Sequence, residues 1–269
     1  PVTTTLRFSA TGDNLIHAPI YKQAARRAAE GQRYDFDYCY EHLLDFYAAQ
    51  DVNWINQETL CSKELEPSTY PCFSTPGECV EALYRAGIRV FSLSNHTYDK
   101  GAKGIAATLR FWDEMPEDVV TTGLWYGESD YGTIPLQTVN GVTIAYLSYT
   151  DHTNGIPQSS AMTANVIYTS QQDVMEQQVR RARELADFVV VGVHWGVEDS
   201  HKITQTQRDL AQQLSDWGAD VILGTHPHVV QDAEWKTSVE GRQTFVAYSL
   251  GNFLSTQSKP DQLIGAILT

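Results

Sequence analysis

Basic residues are scarce in this 269-residue chain: 19 lysines and arginines stand against 33 aspartates and glutamates, for a formal net charge of -14. That balance argues against nucleic acid as a partner, because affinity for it rests on basic side chains neutralising phosphates. An acidic surface also repels polyanions unless a cation is concentrated at the site. Long apolar runs are missing. None approaches the roughly 18 residues that span a bilayer, so membrane contact is expected only through an anchor absent from this chain. The opening Pro1-Val2-Thr3-Thr4-Thr5 lacks the charged and apolar regions of a signal peptide, and we expect a mature or trimmed form. Repeats, low-complexity segments and clean linkers are absent, so one domain over 1–269 is expected.

Cysteine is sparse as well. None of Cys39, Cys61, Cys72 and Cys79 has C-x-x-C spacing, which argues against a zinc knuckle or thioredoxin motif. All four lie in the first third of the chain, in loop-rich sequence, and fit one or two disulfides in an exported protein. The expected pair is Cys61–Cys72, across an excursion holding several prolines, with Cys39–Cys79 as the second. An extracellular or cell-surface location follows as an expectation.

What is present is an ordinary apolar share, 42%, arranged in short runs. Strands are expected at 5–10, 51–56, 89–93, 119–122, 136–139, 142–147, 188–193, 221–223 and 244–248. Helices are expected at 18–30, 38–50, 78–86, 104–115, 170–186 and 204–217. Asn140-Gly141 is a strong hairpin turn. The β-branched run at 188–193 reads as a strand buried on both faces. Strands alternating with helices define an α/β class with much of the sheet covered.

The stretch around which the chain is organised is Gly224-Thr225-His226-Pro227-His228-Val229-Val230-Gln231, entered from an apolar run at 221–223. The proline fixes its own φ and favours an extended Thr225-His226, a stiff turn that could aim two imidazoles at one point. Other strands end in the same way. Gly12-Asp13 follows the first, Asn56 and Glu58 the second, Asn95, His96 and Asp99 the third, and His194 and Glu198 the 188–193 run. In open α/β sheets ligands bind beyond the carboxyl ends of the strands. We therefore expect Asp13, Glu58, Asn95, His194, His226 and His228 to converge in one metal-binding cluster. Carboxylate, amide and imidazole without thiolate suit manganese, iron or zinc. Asp13 or Glu58 could bridge two ions, an arrangement that serves hydrolysis.

Gly12-Asp13, Asn56-Gln57-Glu58, the run from Ser94-Asn95-His96 to Asp99-Lys100-Gly101, His194-Trp195-Gly196-Val197-Glu198, the histidine stretch above, and Tyr248-Ser249-Leu250-Gly251-Asn252-Phe253 occur in that order. Together, over residues 6–268, they resemble the CapA-type poly-γ-glutamate capsule proteins, relatives of the calcineurin-like metallophosphoesterases. The resemblance implies a metallophosphatase-like four-layer αββα sandwich, two packed mixed sheets with helices outside. It also implies one or two divalent ions. Glu58 resembles the bridging carboxylate, Asp13 and His228 serve one position, and Asn95, His194 and His226 the other. His96 resembles the proton-donating histidine, with Asp99 orienting it. Asn56, Glu198 and Gln231 fall at substrate-binding or supporting positions.

Two departures stand out. Leu15 occupies the place of the histidine in the phosphoesterase Asp-x-His, with His17 nearby, and Glu58 replaces an aspartate. The activity implied by the resemblance is a metal-dependent hydrolase or transferase. Its substrate would be a γ-glutamyl polymer or related cell-wall peptide, an acidic substrate handled alongside other capsule-synthesis proteins. The altered first motif points to a poor general phosphatase. Phosphoester hydrolysis and a non-catalytic accessory role in polymer synthesis or export stay open. Lys100, Lys103, Lys202 and Arg208 flank the motifs and could extend a positive patch.

Overall fold

The computed structural model describes residues 4–93 and 95–269. Pro1, Val2 and Thr3, and the Ser94 that opens the third motif, lie outside the described residues. The first half runs through β1 (Phe8–Asn14), α1 (Ala18–Arg27), α2 (Leu44–Ala48), β2 (Val52–Asn56), a small pair β3 (Cys61–Ser62) and β4 (Thr75–Pro76), α3 (Gly77–Ala86), β5 (Val90–Ser92), α4 (Gly101–Asp113) and β6 (Val120–Thr122). The second half contains β7 (Leu136–Val139), β8 (Val142–Thr150), α5 (Gln172–Leu185), β9 (Phe188–His194), α6 (Gln205–Trp217), β10 (Val221–Thr225), β11 (Val230–Thr237), β12 (Gln243–Leu250), β13 (Asn252–Leu254) and β14 (Ile267–Leu268).

Two six-stranded sheets result. One has the order β13-β1-β2-β5-β6, with β14 also on β1; the other has the order β11-β12-β10-β9-β8-β7. Their cores are parallel: β1, β2, β5 and β6 in the first, and β8, β9, β10 and β12 in the second. Antiparallel β7 and β11 flank the second sheet.

Side-chain alternation decides the layering. Along β9, Val189, Val191 and Val193 pack with Met175, Val179 and Ala182 of α5 and with Leu210, Ala211 and Leu214 of α6. Val190 points the other way, into a cluster with Ala10, Trp54 and Val90 of the first sheet and with Tyr146 and Leu223 of the second. On the first sheet Ile55 and Phe91 face Ile20, Val80, Leu83 and Phe111 of the covering helices. The period of two in a strand therefore puts one face on helices and the other on the opposite sheet. The result is the four-layer αββα sandwich. Burial of each such aliphatic side chain contributes roughly 1.5–3 kcal/mol.

Several expectations change. The single helix at 38–50 is instead two 3₁₀ turns, Asp37–Cys39 and Glu41–Leu43, and the short α2. Aromatic, Asp and Cys residues there have weak helix propensity, and Tyr40 and Tyr47 are drawn individually into the core. β8 runs three residues past the expected end at 147. β11 was not expected, because its exposed Asp232 and Ala233 mask the strand alternation.

Both disulfides are corrected: all four cysteines are free. Cys79 Sγ sits 3.2 Å from the Tyr40 hydroxyl and 3.7 Å from Asn14 Nδ2, while Cys61 Sγ sits 3.5 Å from the Thr59 carbonyl. Both are core side chains committed to other neighbours, and burial pushes the Cys79 thiol up to about 12.

Candidate metal centre

The parallel strands of both sheets end at one edge of the sandwich, and the functional side chains are delivered there. β1 supplies Asp13, β2 leads to Asn56 and Glu58, β9 ends on His194, and β10 leads to His226 and His228. Parallel register sets Asp13 against Asn56, and His194 against Thr225. At Gly12 a β-carbon would lie 1.9 Å from the Gly251 carbonyl oxygen, so only glycine lets β1 approach this closely. The Asp13 amide then donates to Gly251 O at 2.9 Å.

Glu58 Oε1 is the hub. It lies 3.5 Å from Asn95 Nδ2, 3.6 Å from His194 Nε2, 3.8 Å from His228 Nε2 and 3.9 Å from His96 Nε2. His228 Nδ1 stands 3.0 Å from Asp13 Oδ2, and Asn56 Nδ2 donates to Asp13 Oδ1 at 2.8 Å. The His194 and His226 rings are 4.3 Å apart between centroids. The structure thus brings all six expected ligands together, with Asn56 and His96 beside them.

This donor set fits a divalent cation. Among the described residues, buried Glu58 Oε2, Asn95 Oδ1, His194 Nε2 and His226 Nδ1 have no hydrogen-bond partner. Each such orphan costs about 1–3 kcal/mol, and these oxygens and nitrogens are the lone-pair donors a divalent cation takes. Asp13, Glu58 and His228 form one group of close potential ligand atoms, and Glu198, His226 and His228 another.

The electrostatics agree. Burial, reinforced by the Asp13 carboxylate, raises Glu58 to about 7. Burial alone would lower His228, but the Glu58 and Asp13 carboxylates lift it to about 10. Burial, with His152 and His228 adding to it, pushes His226 down to about 3. His194 is lowered well below its usual value by burial and then by the neighbouring imidazoles. His194 and His226 are therefore neutral, the state a metal ligand requires.

His96 is held from behind. Its Nδ1 lies 2.8 Å from Asp99 Oδ2, which also accepts from the Phe73 amide at 2.6 Å. Asp99 Oδ1 accepts from Asn154 Nδ2 at 3.1 Å. The Phe73 ring packs edge-on against His96, with centroids 4.9 Å apart. These contacts leave Nε2 facing Glu58.

The expected extended backbone before Pro227 is corrected at His226. Thr225 closes β10, but His226 has φ 96° and His228 φ 58°. Two non-glycine residues in the left-handed region store about 1–3 kcal/mol each. The surrounding packing, not the proline's local preference, sets their direction. Leu15 is buried and apolar, and His17 keeps its Nδ1 3.0 Å from the Leu15 carbonyl.

Glu198 is exposed at the rim. Gln231 accepts from Gln207 Nε2 at 2.9 Å and donates to Ser200 O at 2.7 Å; it braces the loop carrying Glu198 rather than facing the cluster. Arg208 is 3.6 Å from Glu234, while Lys103 and Lys202 are exposed. Tyr248 and Asn252 serve the scaffold: the Tyr248 carbonyl accepts from Trp195 Nε1 at 2.9 Å, and Asn252 Nδ2 donates to Gln262 O at 3.1 Å.

The sequence reading missed His152, which follows β8. Its Nε2 is 3.4 Å from His226 Nε2, and its ring centroid is 5.2 Å from that of His194. The signal was available: a buried strand, then His, the pattern already recognised at the other strand ends. It was lost because the strand was ended at 147.

Two helix-covered sheets with this cluster at their shared edge define a metallophosphoesterase-like fold. The description "Bacterial capsule synthesis protein PGA_cap" matches residues 7–257, and the chain belongs to that family. It is 33% identical over 243 residues to the capsule biosynthesis protein CapA of Bacillus anthracis, covering 84% of this chain and 55% of that protein. It is 30% identical over 257 residues to the PGA biosynthesis protein CapA of Bacillus subtilis (strain 168), covering 94% and 64%. The chain thus spans less than two thirds of either relative. Among solved structures it is similar to a candidate 5′-nucleotidase from Staphylococcus aureus, described in complex with alpha-ketoglutarate, at TM-score 0.53 and 14% identity, covering 91% of this chain and 48% of that one. A 5′-nucleotidase precursor from Thermus thermophilus matches at TM-score 0.53 and 13% identity, covering 90% and 48%. At such identities the likeness is one of fold.

Proposed function

We propose that this chain is an exported, metal-dependent hydrolase or transferase that acts on γ-glutamyl polymer or related cell-wall peptide, alongside other capsule-synthesis proteins. The observation that carries the reading is the His96–Asp99 pair aimed at Glu58, beside four buried ligand atoms that lack partners. A structural histidine would not need its far nitrogen turned toward a buried carboxylate. Export follows from capsule membership alone, since the free cysteines remove the disulfide argument for it.

Asp13, Glu58 and His228 would hold one cation, and Glu58, Asn95, His194 and His226 a second. When bound, the cations supply Lewis acidity and positive charge. The chain's own groups do the rest. Asp99 fixes His96 Nδ1, so Nε2 is the nitrogen that meets the departing group and gives it a proton. Phe73, packed on the His96 ring, keeps water from one side. Glu198 meets substrate at the rim. The chain is strongly acidic, and the cations would reverse that field locally and attract a substrate carboxylate. Leu15, in place of a first-motif histidine, argues against a general phosphatase.

The test loads the protein with manganese, iron or zinc. It is then assayed on γ-glutamyl polymers, muropeptides and an aryl phosphate, with His96→Ala and His194→Ala as controls. Cleavage or transfer of γ-glutamyl or peptide bonds, lost in both variants, is the expected result. Phosphate release without peptide cleavage would transfer the site to phosphoester chemistry. Metal binding with no turnover of any substrate would favour an accessory role.

A further inference from the structure

We propose that His152 is a metal ligand, completing a three-imidazole set with His194 and His226 that none of the family motifs includes. This rests on the reading of the centre as metal-binding and specifies its second position. Potential ligand atoms of the three residues all lie within 4.8 Å of one another. His152 Nε2 and His226 Nε2 are 3.4 Å apart. Two nitrogens bound to one tetrahedral zinc, each at about 2.0–2.1 Å, stand about 3.4 Å from each other.

The three rings converge from three different strand ends. Centroids are 4.7 Å apart for His152 and His226, 5.2 Å for His152 and His194, and 4.3 Å for His194 and His226, and no pair is stacked face to face. Imidazoles placed only for packing would not gather at a site edge with His194 Nε2 buried and unpartnered. His152 itself is secured from below. Its amide lies 3.4 Å from Thr150 Oγ1, and that hydroxyl donates to the His152 carbonyl at 2.6 Å. Thr150 Oγ1 is also 3.4 Å from His194 Nδ1, which ties the two histidines to one support.

The two positions then differ in chemistry. Asp13, Glu58 and His228 offer mainly oxygen. His152, His194 and His226 offer three imidazole nitrogens, a set that favours zinc, cobalt or nickel over manganese and magnesium. The chain has Leu15 at the place of the first-motif histidine and carries His152 beside His194 and His226. The expected order of filling is therefore nitrogen-rich position first.

The full chain, stripped of metal, would be titrated with zinc against a competing chelator, and with cobalt(II) while its visible absorption is followed. The expected wild-type result is one tight equivalent with a nitrogen-rich cobalt spectrum. His152→Ala should weaken that equivalent by more than the roughly 10–100-fold lost with an outer-shell partner, and should change the spectrum. His152→Gln can still hydrogen-bond His226 but ligates poorly, so it should remain weak. Circular dichroism and the thermal midpoint of the metal-free variants should match wild type. Unchanged affinity and spectrum in His152→Ala, or recovery in His152→Gln, would overturn the assignment and leave the metal centre standing. Failure of the wild type to bind either ion would overturn both.

Discussion

Replacing Gly224 by alanine adds one methyl group where no room exists. Its β-carbon would lie 2.0 Å from the Tyr248 carbonyl oxygen and 2.5 Å from Trp195 Nε1. Those two atoms are hydrogen-bonded to each other at 2.9 Å, so the methyl must push β10 from β12 or break that bond. Overpacking costs about 1–3 kcal/mol, and a buried indole N–H left without a partner costs about another 1–3 kcal/mol. The sum, roughly 2–6 kcal/mol, is a large part of the 5–15 kcal/mol typical of a folded protein. β10 also leads directly into the turn that carries His226, so zinc affinity should fall along with stability. Urea unfolding of the metal-free protein measures the first effect, and chelator competition the second. Gly132→Ala is the control, because its added carbon meets nothing within 4 Å and should change stability by no more than about 0.5 kcal/mol. A Gly224→Ala protein within that margin of wild type would refute the steric argument.

Asp99→Asn should lower turnover on any cleaved substrate by about 10²–10⁴-fold while metal stoichiometry holds; equal losses of both would make Asp99 a folding residue. Thiol titration of the unreduced, denatured protein should find four free cysteines, and in the native protein the half-buried Cys39 and Cys72 should react before the buried Cys61 and Cys79. Metal-free protein should lose stability as pH falls below about 6.5. The fold holds His194 and His226 neutral, so the unfolded chain takes up protons that the folded chain refuses. His226→Asn should flatten that slope by up to one proton, about 1.36 kcal/mol per pH unit, and an unchanged slope would contradict the burial of His226. Gln231→Ala should destabilise by about 1–3 kcal/mol, because Gln207 and the Ser200 carbonyl lose their buried partner; a neutral variant would show the loop is held elsewhere.

Much of the cluster was legible because strand chemistry and site chemistry coincide in sequence. Val221-Ile222-Leu223 runs directly into His226, and the apolar 188–193 run directly into His194, so one pattern marks both strand and site. His152 escaped because Ser148, Tyr149 and Thr150 are not uniformly apolar, although all three are buried in β8. Gln231 was expected at a substrate-binding or supporting position, and the structure shows it supporting the Ser200 loop. Its motif position could not reveal that both ends of its amide are committed to Gln207 and Ser200. The cysteine expectation failed for a different reason: spacing carries no information about direction, and α3 turns Cys79 toward Tyr40. Nor could local rules give the positive φ of His226, because local preference opposes it and tertiary packing imposes it.

β13 leaves the second sheet and pairs with β1 in the first, setting Asn252 against Asp13. Those partners are separated by about 240 residues of chain. At 5–20 residues per second, a ribosome places them on the order of 10–50 s apart. Through that interval β1 has an unfilled edge, and the glycine-lined contact that seats Asp13 cannot close. Ions in the surrounding compartment would meet a half-made site, with its carboxylates presented before its last imidazoles. The order of synthesis thus leaves the complete ligand set unassembled until the chain has returned to its starting sheet.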